Sequence, residues 1–407
     1  MNAIGKVGVN KLIEQFGSPL YVYDEEVIRN RIRRLKEAVI YPKKQILYAC
    51  KANTNISIMK ILREEGVWID AVSPGEVEIA FRAGFNSSEI LYTGDNTTDE
   101  EMKFCLINKI RMNLGSLSQI ERYGRMNPNS DIFIRINPDC GAGHHSHTIT
   151  GGPESKFGIY FDKVDDIKSL ASKYNLRIVG IHSHIGSGIL DVNEFLKAID
   201  IVLNAAKSFK DLDFIDFGGG IGVPYRPSDK EIDIVDFGNR VSEKFKSFCD
   251  SYGRELELYL EPGRFIVAES GTLLLTVNNI KETPTHKFAG TDSGFNHLIR
   301  PMAYGSYHKI INCSNPNDEI EEIAITGNLC ESGDVFTQSE KGIENHPVSK
   351  VREGDILGIL CAGAYGFSMA SHYNSRPKPA EVLVNNGDVK IIRRRESIED
   401  LVQTMEI

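Results

Sequence analysis

The chain has 407 residues, 41% of them hydrophobic and 25% charged, with 47 Lys and Arg against 56 Asp and Glu. This length is room for roughly two or three domains with sizeable cores, and a net charge of −9 leaves no basic surplus for binding a nucleic-acid backbone. The composition also excludes long disordered tails and collagen-like repeats. Seven scattered Cys without a CxxC pair suit a reducing cytoplasm better than a disulfide framework. No apolar run approaches a membrane span, and the first residues carry no apolar signal core, so the expectation is a cytoplasmic protein with no membrane partner.

The first strand-like segment is Leu20-Tyr21-Val22-Tyr23. Eight short apolar runs follow: Ile46–Cys50, Val67–Val72, Glu89–Thr93, Ile110–Leu114, Ile132–Ile136, Ile178–Ile185, Phe214–Phe217 and Glu257–Leu260. A turn signal and helix-period sequence come after each. Ile58, Ile61 and Leu62 recur at i, i+3, i+4, and Phe195, Ile199, Val202 and Leu203 share a helical face. Eight strand–helix units in succession predict a (β/α)8 TIM-type barrel, an α/β fold; a doubly wound open sheet is the alternative. After residue 270 the helical period fades into β-like segments: Gly271–Val277, Ile320–Ile325, Asp355–Leu360, Ala380–Val384 and Val389–Ile392, with an Asn386-Gly387 turn. The expected division is a barrel over residues 30–270 and a mostly antiparallel β domain over 271–407, joined by the N-terminal strand within 1–29.

Barrel chemistry sits after the C-terminal ends of the strands. Lys51 ends the first run, either as a surface lysine at the barrel mouth or as an amine of depressed pKa able to form a Schiff base. The sixth run leads into His182-Ser183-His184-Ile185-Gly186-Ser187-Gly188. Two His at i, i+2 suggest a metal or, more simply, a hydrogen-bonded interior pair, and with no third ligand evident no metal is expected. The seventh run ends in Gly218-Gly219-Gly220-Ile221-Gly222, a phosphate loop or a tight connection. The eighth ends in Glu261-Pro262-Gly263-Arg264, either a surface ion pair or an axial carboxylate that needs a cationic partner. Each signal is weak alone. In this order, an amine, an imidazole, a phosphate loop and a carboxylate match the parts a pyridoxal phosphate site needs.

The motifs YACKAN, HSHIGSG, DFGGGIG and EPGR resemble those of the fold-type III pyridoxal-phosphate decarboxylases, relatives of alanine racemase. The segments Asp292–Pro301 through Tyr304, Cys330-Glu331-Ser332-Gly333-Asp334, Gly363-Ala364-Tyr365 and Tyr373–Pro377 narrow the similarity to the diaminopimelate decarboxylase family, over about Gly17 to Val384. The resemblance implies pyridoxal 5'-phosphate anchored on Lys51, His184 stacked on its ring, and Ser187 with Gly218, Gly219 and Gly220 on its phosphate. It implies Glu261 at the pyridine nitrogen, with Pro262, Gly263, Arg264 and, more weakly, Asp70 as cofactor neighbours. Arg264, Arg300 and Tyr304 would bind substrate carboxylates, and Tyr365 would touch both cofactor and substrate. In a homodimer with shared sites, the partner subunit would supply Cys330 as proton donor and Glu331 as substrate contact. Activity would be decarboxylation of meso-2,6-diaminopimelate to L-lysine.

Arg300 and Tyr304 stand i, i+4 apart and lie together if helical. Polar neighbours Glu331 and Asp334 set Cys330 apart from an ordinary core thiol. Pro138–Ser155 is long for a barrel loop and reads as an active-site lid carrying His144, His145 and His147. The alternatives are a related decarboxylase acting on D-lysine, D-ornithine, or a polyamine or carrier-linked precursor; a racemase, which has no use for CESGD; and a silent cofactor-binding regulator, which would have lost Lys51 or Cys330.

Overall fold

A computed structural model describes residues 2–139 and 151–406 of the chain. His144, His145, His147 and most of the expected lid lie outside the described residues. Two compact units divide the chain: Arg31–Val223 with Lys230–Phe265, and Met1–Asn30 with Pro224–Asp229 and Ile266–Ile407. No helix among the described residues is long and apolar enough to cross a membrane.

In chain order, the strands that position the site are β1 (Leu20–Asp24), β2 (Lys44–Ala49), β3 (Trp68–Ala71), β4 (Ile90–Tyr92), β5 (Arg111–Leu114), β6 (Asp131–Asn137), β7 (Arg177–His182), β8 (Phe214–Asp216) and β9 (Glu257–Leu260). Strands β2 to β9 are all parallel and pair in sequence order. The ring closes where Leu258 of β9 pairs with Lys44 of β2, and Ile181 of β7 with Ile134 of β6. All eight apolar runs therefore became barrel strands, and the open-sheet alternative fails on the β9–β2 pairing.

The helices between them start where the sequence supplies a capping side chain. Asn55 accepts from Ser57 N ahead of α1 (Ile56–Glu64), Ser73 from Glu76 N ahead of α2 (Pro74–Ala83), and Asp233 from Val235 N and Asp236 N ahead of Ile234–Tyr252. Gly84 and Gly253 end two of these helices with left-handed backbone that a side chain would strain. Inside the barrel, Leu47, Leu91, Phe133, Val179, Phe214 and Tyr259 pack as one cluster, with Trp68 against it. This filled interior leaves chemistry to the C-terminal ends of the strands.

The second unit is built on β1 and on β10 (Gly271–Glu282), β11 (Lys287–Thr291), β12 (Ile310–Asn312), β13 (Ile320–Thr326), β14 (His346–Ser349), β15 (Ile356–Ile359), β16 (Ala380–Asn385) and β17 (Asp388–Arg393). Its pairings are mostly antiparallel, with β1 lying between β10 and β16. Leu20 and Val22 point into a core with Leu274, Val382 and Val384. Tyr21 and Tyr23 alternate to the other face, where their hydroxyls donate to His297 O and Glu381 Oε1, each at 2.7 Å. Asn386 and Gly387 both take positive φ in the two-residue turn between β16 and β17.

Strands β11, β12 and β14 carry too little periodicity to stand out in sequence. The first has Ala289-Gly290 at its centre, the second is three residues long, and Pro347 confines the third to the edge of its sheet.

Gly180 of β7 has an evident packing reason. A methyl group there would overlap the Phe214 ring, which stacks on Tyr259 at 4.6 Å and meets Phe133 edge-on at 5.4 Å. Gly180→Ala should therefore cost about 1–3 kcal/mol by overpacking. Denaturant unfolding checks this, and an unchanged midpoint would show that the ring can retreat.

Candidate active site

The first and last barrel strands bring two of the expected groups together. Lys51 lies exposed in the single helical turn Cys50–Ala52 that follows β2. Ala49 N donates to Pro262 O at 3.4 Å, and a Cβ on Gly263 would stand 3.1 Å from Ala49 O. The Lys51 turn and the Glu261 turn are thus held against each other by backbone contact.

Glu261 is buried at the barrel mouth. His182 Nε2 lies 2.9 Å from its Oε2, and Asn113 Nδ2 lies 3.0 Å from His182 Nδ1. An amide nitrogen only donates, so Nδ1 accepts and Nε2 carries the hydrogen that Glu261 receives. Burial lowers the pKa of His182, which keeps it a neutral donor rather than a cation. Burial alone would raise the Glu261 carboxyl. The His182 contact, with His184 and the Lys51 charge, outweighs it and holds the group down at about 2. Because His182 is itself neutral, we ascribe the ionised state of Glu261 mainly to the donated Nε2–H and the Lys51 ammonium.

Two further carboxyls titrate the other way. Burial and the Glu261 charge push Asp216 well up, so it keeps a proton. Its Oδ1 accepts from Gly218 N at 2.8 Å. Its Oδ2 and Glu261 Oε1 are buried without another donor among the described residues. The retained proton on Asp216 faces the Glu261 carboxylate, and the two carboxyls share it. Asp70 is likewise raised, to about 8, by burial and then by Glu261, against the opposing Lys51 charge and its Thr93 hydrogen bond. His182, Asp216 and Glu261 come within metal-ligating distance of one another. Both imidazole nitrogens are already engaged, so the cluster reads as a proton-sharing network.

The glycine loop is close-packed. Gly218 and Gly220 have φ of 67° and 113°. A Cβ would stand 2.5 Å from Ser183 O at Gly218, 2.6 Å from Gly186 O at Gly220, and would overlap Glu261 O at Gly219. Gly219 N donates to His184 Nδ1 at 3.1 Å, which fixes that ring. The N–H groups of Gly218 and Gly219 are thus committed to Asp216 and His184, and these glycines chiefly permit close approach. Arg264 Nε and Nη2 both reach Ser187 Oγ, at 3.2 and 3.0 Å, beside the same loop.

In the other unit three of the four C-terminal motifs converge. Asp334 Oδ1 and Oδ2 accept from Phe295 N and Leu329 N, each at 2.7 Å. Cys330 N donates to Asn374 Oδ1 at 2.8 Å, and Arg376 Nη2 to Asn328 O at 2.8 Å. Cys330 and Glu331 are exposed, while Arg300 is buried. Arg300 and Tyr304 open and close the one-turn helix Arg300–Tyr304. Tyr365 and Asn374 adopt positive φ, at 56° each, a strain that non-glycine residues commonly bear at functional sites.

A family model described as pyridoxal-dependent decarboxylase, pyridoxal binding domain, matches residues 25–268. The diaminopimelate decarboxylase of Methanothermobacter thermautotrophicus is 45% identical over 98% of this chain and 94% of its own length. The chain belongs to the diaminopimelate decarboxylase family. The Escherichia coli K12 member is 37% identical over 96% of the chain and 94% of its own length. The Helicobacter pylori member, solved in complex with L-lysine, has a TM-score of 0.88 at 34% identity over 97% of this chain and 98% of that one.

The residues present fit the family's cofactor. Glu261 Oε1 offers a buried, ionised oxygen without another donor among the described residues, and an amine stands close by. Sequence reasoning missed Asn113, Thr93, Asp216 and Arg135, a buried cation stacked 4.5 Å from the Phe157 ring. Each sits inside a strand or at its end as an ordinary polar residue, and only barrel closure brings it to the network.

Asp70 predicts a pH dependence. Its raised pKa means the folded state holds a proton that the unfolded chain releases near pH 3.9. The stability this confers is full below that value and is lost as pH rises through about 8. Unfolding of ligand-stripped protein between roughly pH 4 and 8 should show wild type losing stability relative to Asp70→Asn as pH rises. Parallel profiles would refute the assignment.

Proposed function

We propose that this protein is a carboxy-lyase that uses pyridoxal 5'-phosphate to decarboxylate meso-2,6-diaminopimelate to L-lysine and CO2, the last step of lysine biosynthesis. The observation that carries this reading is the cluster of Lys51, His184, Ser187, the glycine loop and Glu261 at one barrel mouth, in a chain that a diaminopimelate decarboxylase matches over 98% of its length. The L-lysine bound in the Helicobacter pylori relative is the product this reading requires.

Lys51 would anchor the cofactor covalently, and His184, oriented by Gly219 N–H, would lie against its ring. Gly220, Ser187 and Arg264 would hold the phosphate. The paired contact of Arg264 with Ser187 favours that role for the arginine over the substrate-carboxylate role, which then rests on Arg300 with Tyr304. Bound pyridoxal phosphate supplies the electron sink for the pair left when CO2 departs. Glu261, ionised and buried, would pair with the ring nitrogen and favour its protonated form, which would deepen that sink. Asp70, Pro262 and Gly263 would line the anchor side, and Tyr365 would contact cofactor and substrate. Cys330, from the partner subunit of a homodimer, gives its thiol proton to the α-carbon and regains one from solvent. Glu331 beside it accepts a substrate ammonium. The six cysteines described are all free, which supports a reducing, cytoplasmic location.

The deciding experiment measures CO2 release from meso-diaminopimelate, D-lysine, L-lysine and L-ornithine with added pyridoxal phosphate. The meso dicarboxylate should be strongly preferred. Preference for D-lysine or L-ornithine would replace this reading with the alternative decarboxylase.

Shared sites have their own test. Lys51→Ala and Cys330→Ala proteins should each be inactive, yet mixing them should restore part of the activity, since a mixed dimer contains one site with both residues. No recovery after verified subunit exchange would mean that each chain builds its own complete site.

A further inference from the structure

We propose that His308 is a positioning residue for Arg300: it sets the direction of the buried guanidinium and so its selection of a dicarboxylic substrate. This rests on the reading of Arg300 as the partner of the retained carboxylate.

Arg300 Nη1 lies 2.7 Å from His308 Nε2, and His308 Nδ1 lies 2.8 Å from Leu360 O. Both side chains are buried. A carbonyl oxygen only accepts, so His308 Nδ1 carries a hydrogen. A guanidinium only donates, so Nε2 carries a lone pair. His308 is therefore neutral, in one defined tautomer. Leu360 is itself fixed, since its N–H donates to Lys309 O at 2.9 Å, next to His308 in sequence.

A second constraint comes from an aromatic ring. The Arg300 guanidinium carbon sits 4.6 Å from the centroid of the Tyr225 ring, and that ring meets the His308 imidazole edge-on at 5.2 Å and 77°. Tyr225 is held by its own turn, where Asp229 Oδ2 accepts from Tyr225 N and Arg226 N at 3.0 and 2.8 Å. The hydrogen bond holds the guanidinium at one nitrogen, and the ring packs against its carbon.

Chemistry explains the choice of histidine. A carboxylate at position 308 would orient Arg300 equally well, but it would neutralise the charge on which the substrate depends. A neutral imidazole supplies an acceptor and leaves the cation intact for an anion. A glutamine side-chain oxygen shares this property, whereas leucine lacks the acceptor.

Steady-state kinetics on meso-diaminopimelate test this with the cofactor-loaded enzyme and the variants His308→Gln, His308→Leu, His308→Glu and Arg300→Met. Arg300→Met should raise KM by about 10- to 150-fold, the range for a charged hydrogen-bonded partner. His308→Leu should raise KM by about 10-fold with a much smaller change in kcat, as expected when only orientation is lost. His308→Gln should recover most of that loss, and His308→Glu should do worse than leucine. Cofactor absorbance should be the same in all four. Should leucine not fold, the contrast of glutamine with glutamate decides alone. An Arg300→Met effect with His308→Leu unchanged, a fall in kcat without a rise in KM, or a glutamate variant as good as glutamine would overturn the proposal. An unchanged KM in Arg300→Met would overturn the reading of Arg300 itself, and this inference with it.

Discussion

A buried carboxylate that must stay ionised is the constraint on which the barrel site depends. Burial disfavours the charge on Glu261, and a lone carboxylate in that place would take up a proton. The protein answers with a chain running inward: Asn113 donates to His182, and His182 donates to Glu261. Asp216 takes the opposite share by holding the proton that Glu261 gives up. Burial pushes every carboxyl in the cluster in one direction. Which of them stays charged is decided by where the N–H donors and the Lys51 ammonium stand.

The same geometry explains the glycine loop. Gly219 must pass against the Glu261 carbonyl, and Gly218 against Ser183, so the glycine loop and the Glu261 turn are one packed object. A change at either loop reaches the other through backbone contact. Arg264 extends the coupling, because it begins the helical turn after Glu261 and its guanidinium closes on Ser187.

Much of this was legible in sequence, and the limits are physical. Strand period and turn residues are local, so all eight barrel strands, the β1 segment and the Asn386-Gly387 turn could be read directly. Residues at strand ends were also visible, because the fold dictates where chemistry sits. What could not be read depends on contacts between distant segments. Asn113 becomes meaningful only when β5 and β7 face the same axis. Tyr225 and His308 gain a role only when residues 83 positions apart enclose one arginine. Short strands such as β12 and β14 are held by neighbours rather than by propensity, and so leave little trace.

Histidine shows why residue type and spacing were not enough. His182, His184 and His308 are each fixed through Nδ1, and the partner at that atom decides the function of the other nitrogen. Donors at Nδ1, the Asn113 amide and the Gly219 N–H, leave Nε2 bearing the hydrogen, so His182 can support an anion. An acceptor at Nδ1, the Leu360 carbonyl, reverses the tautomer, so His308 can support a cation. All three rings can do this while neutral, which suits sites where a further buried charge would be costly. The chemical sense of each histidine is thus written in a backbone or amide group elsewhere in the chain, and exchanging that group would invert the role without touching the histidine.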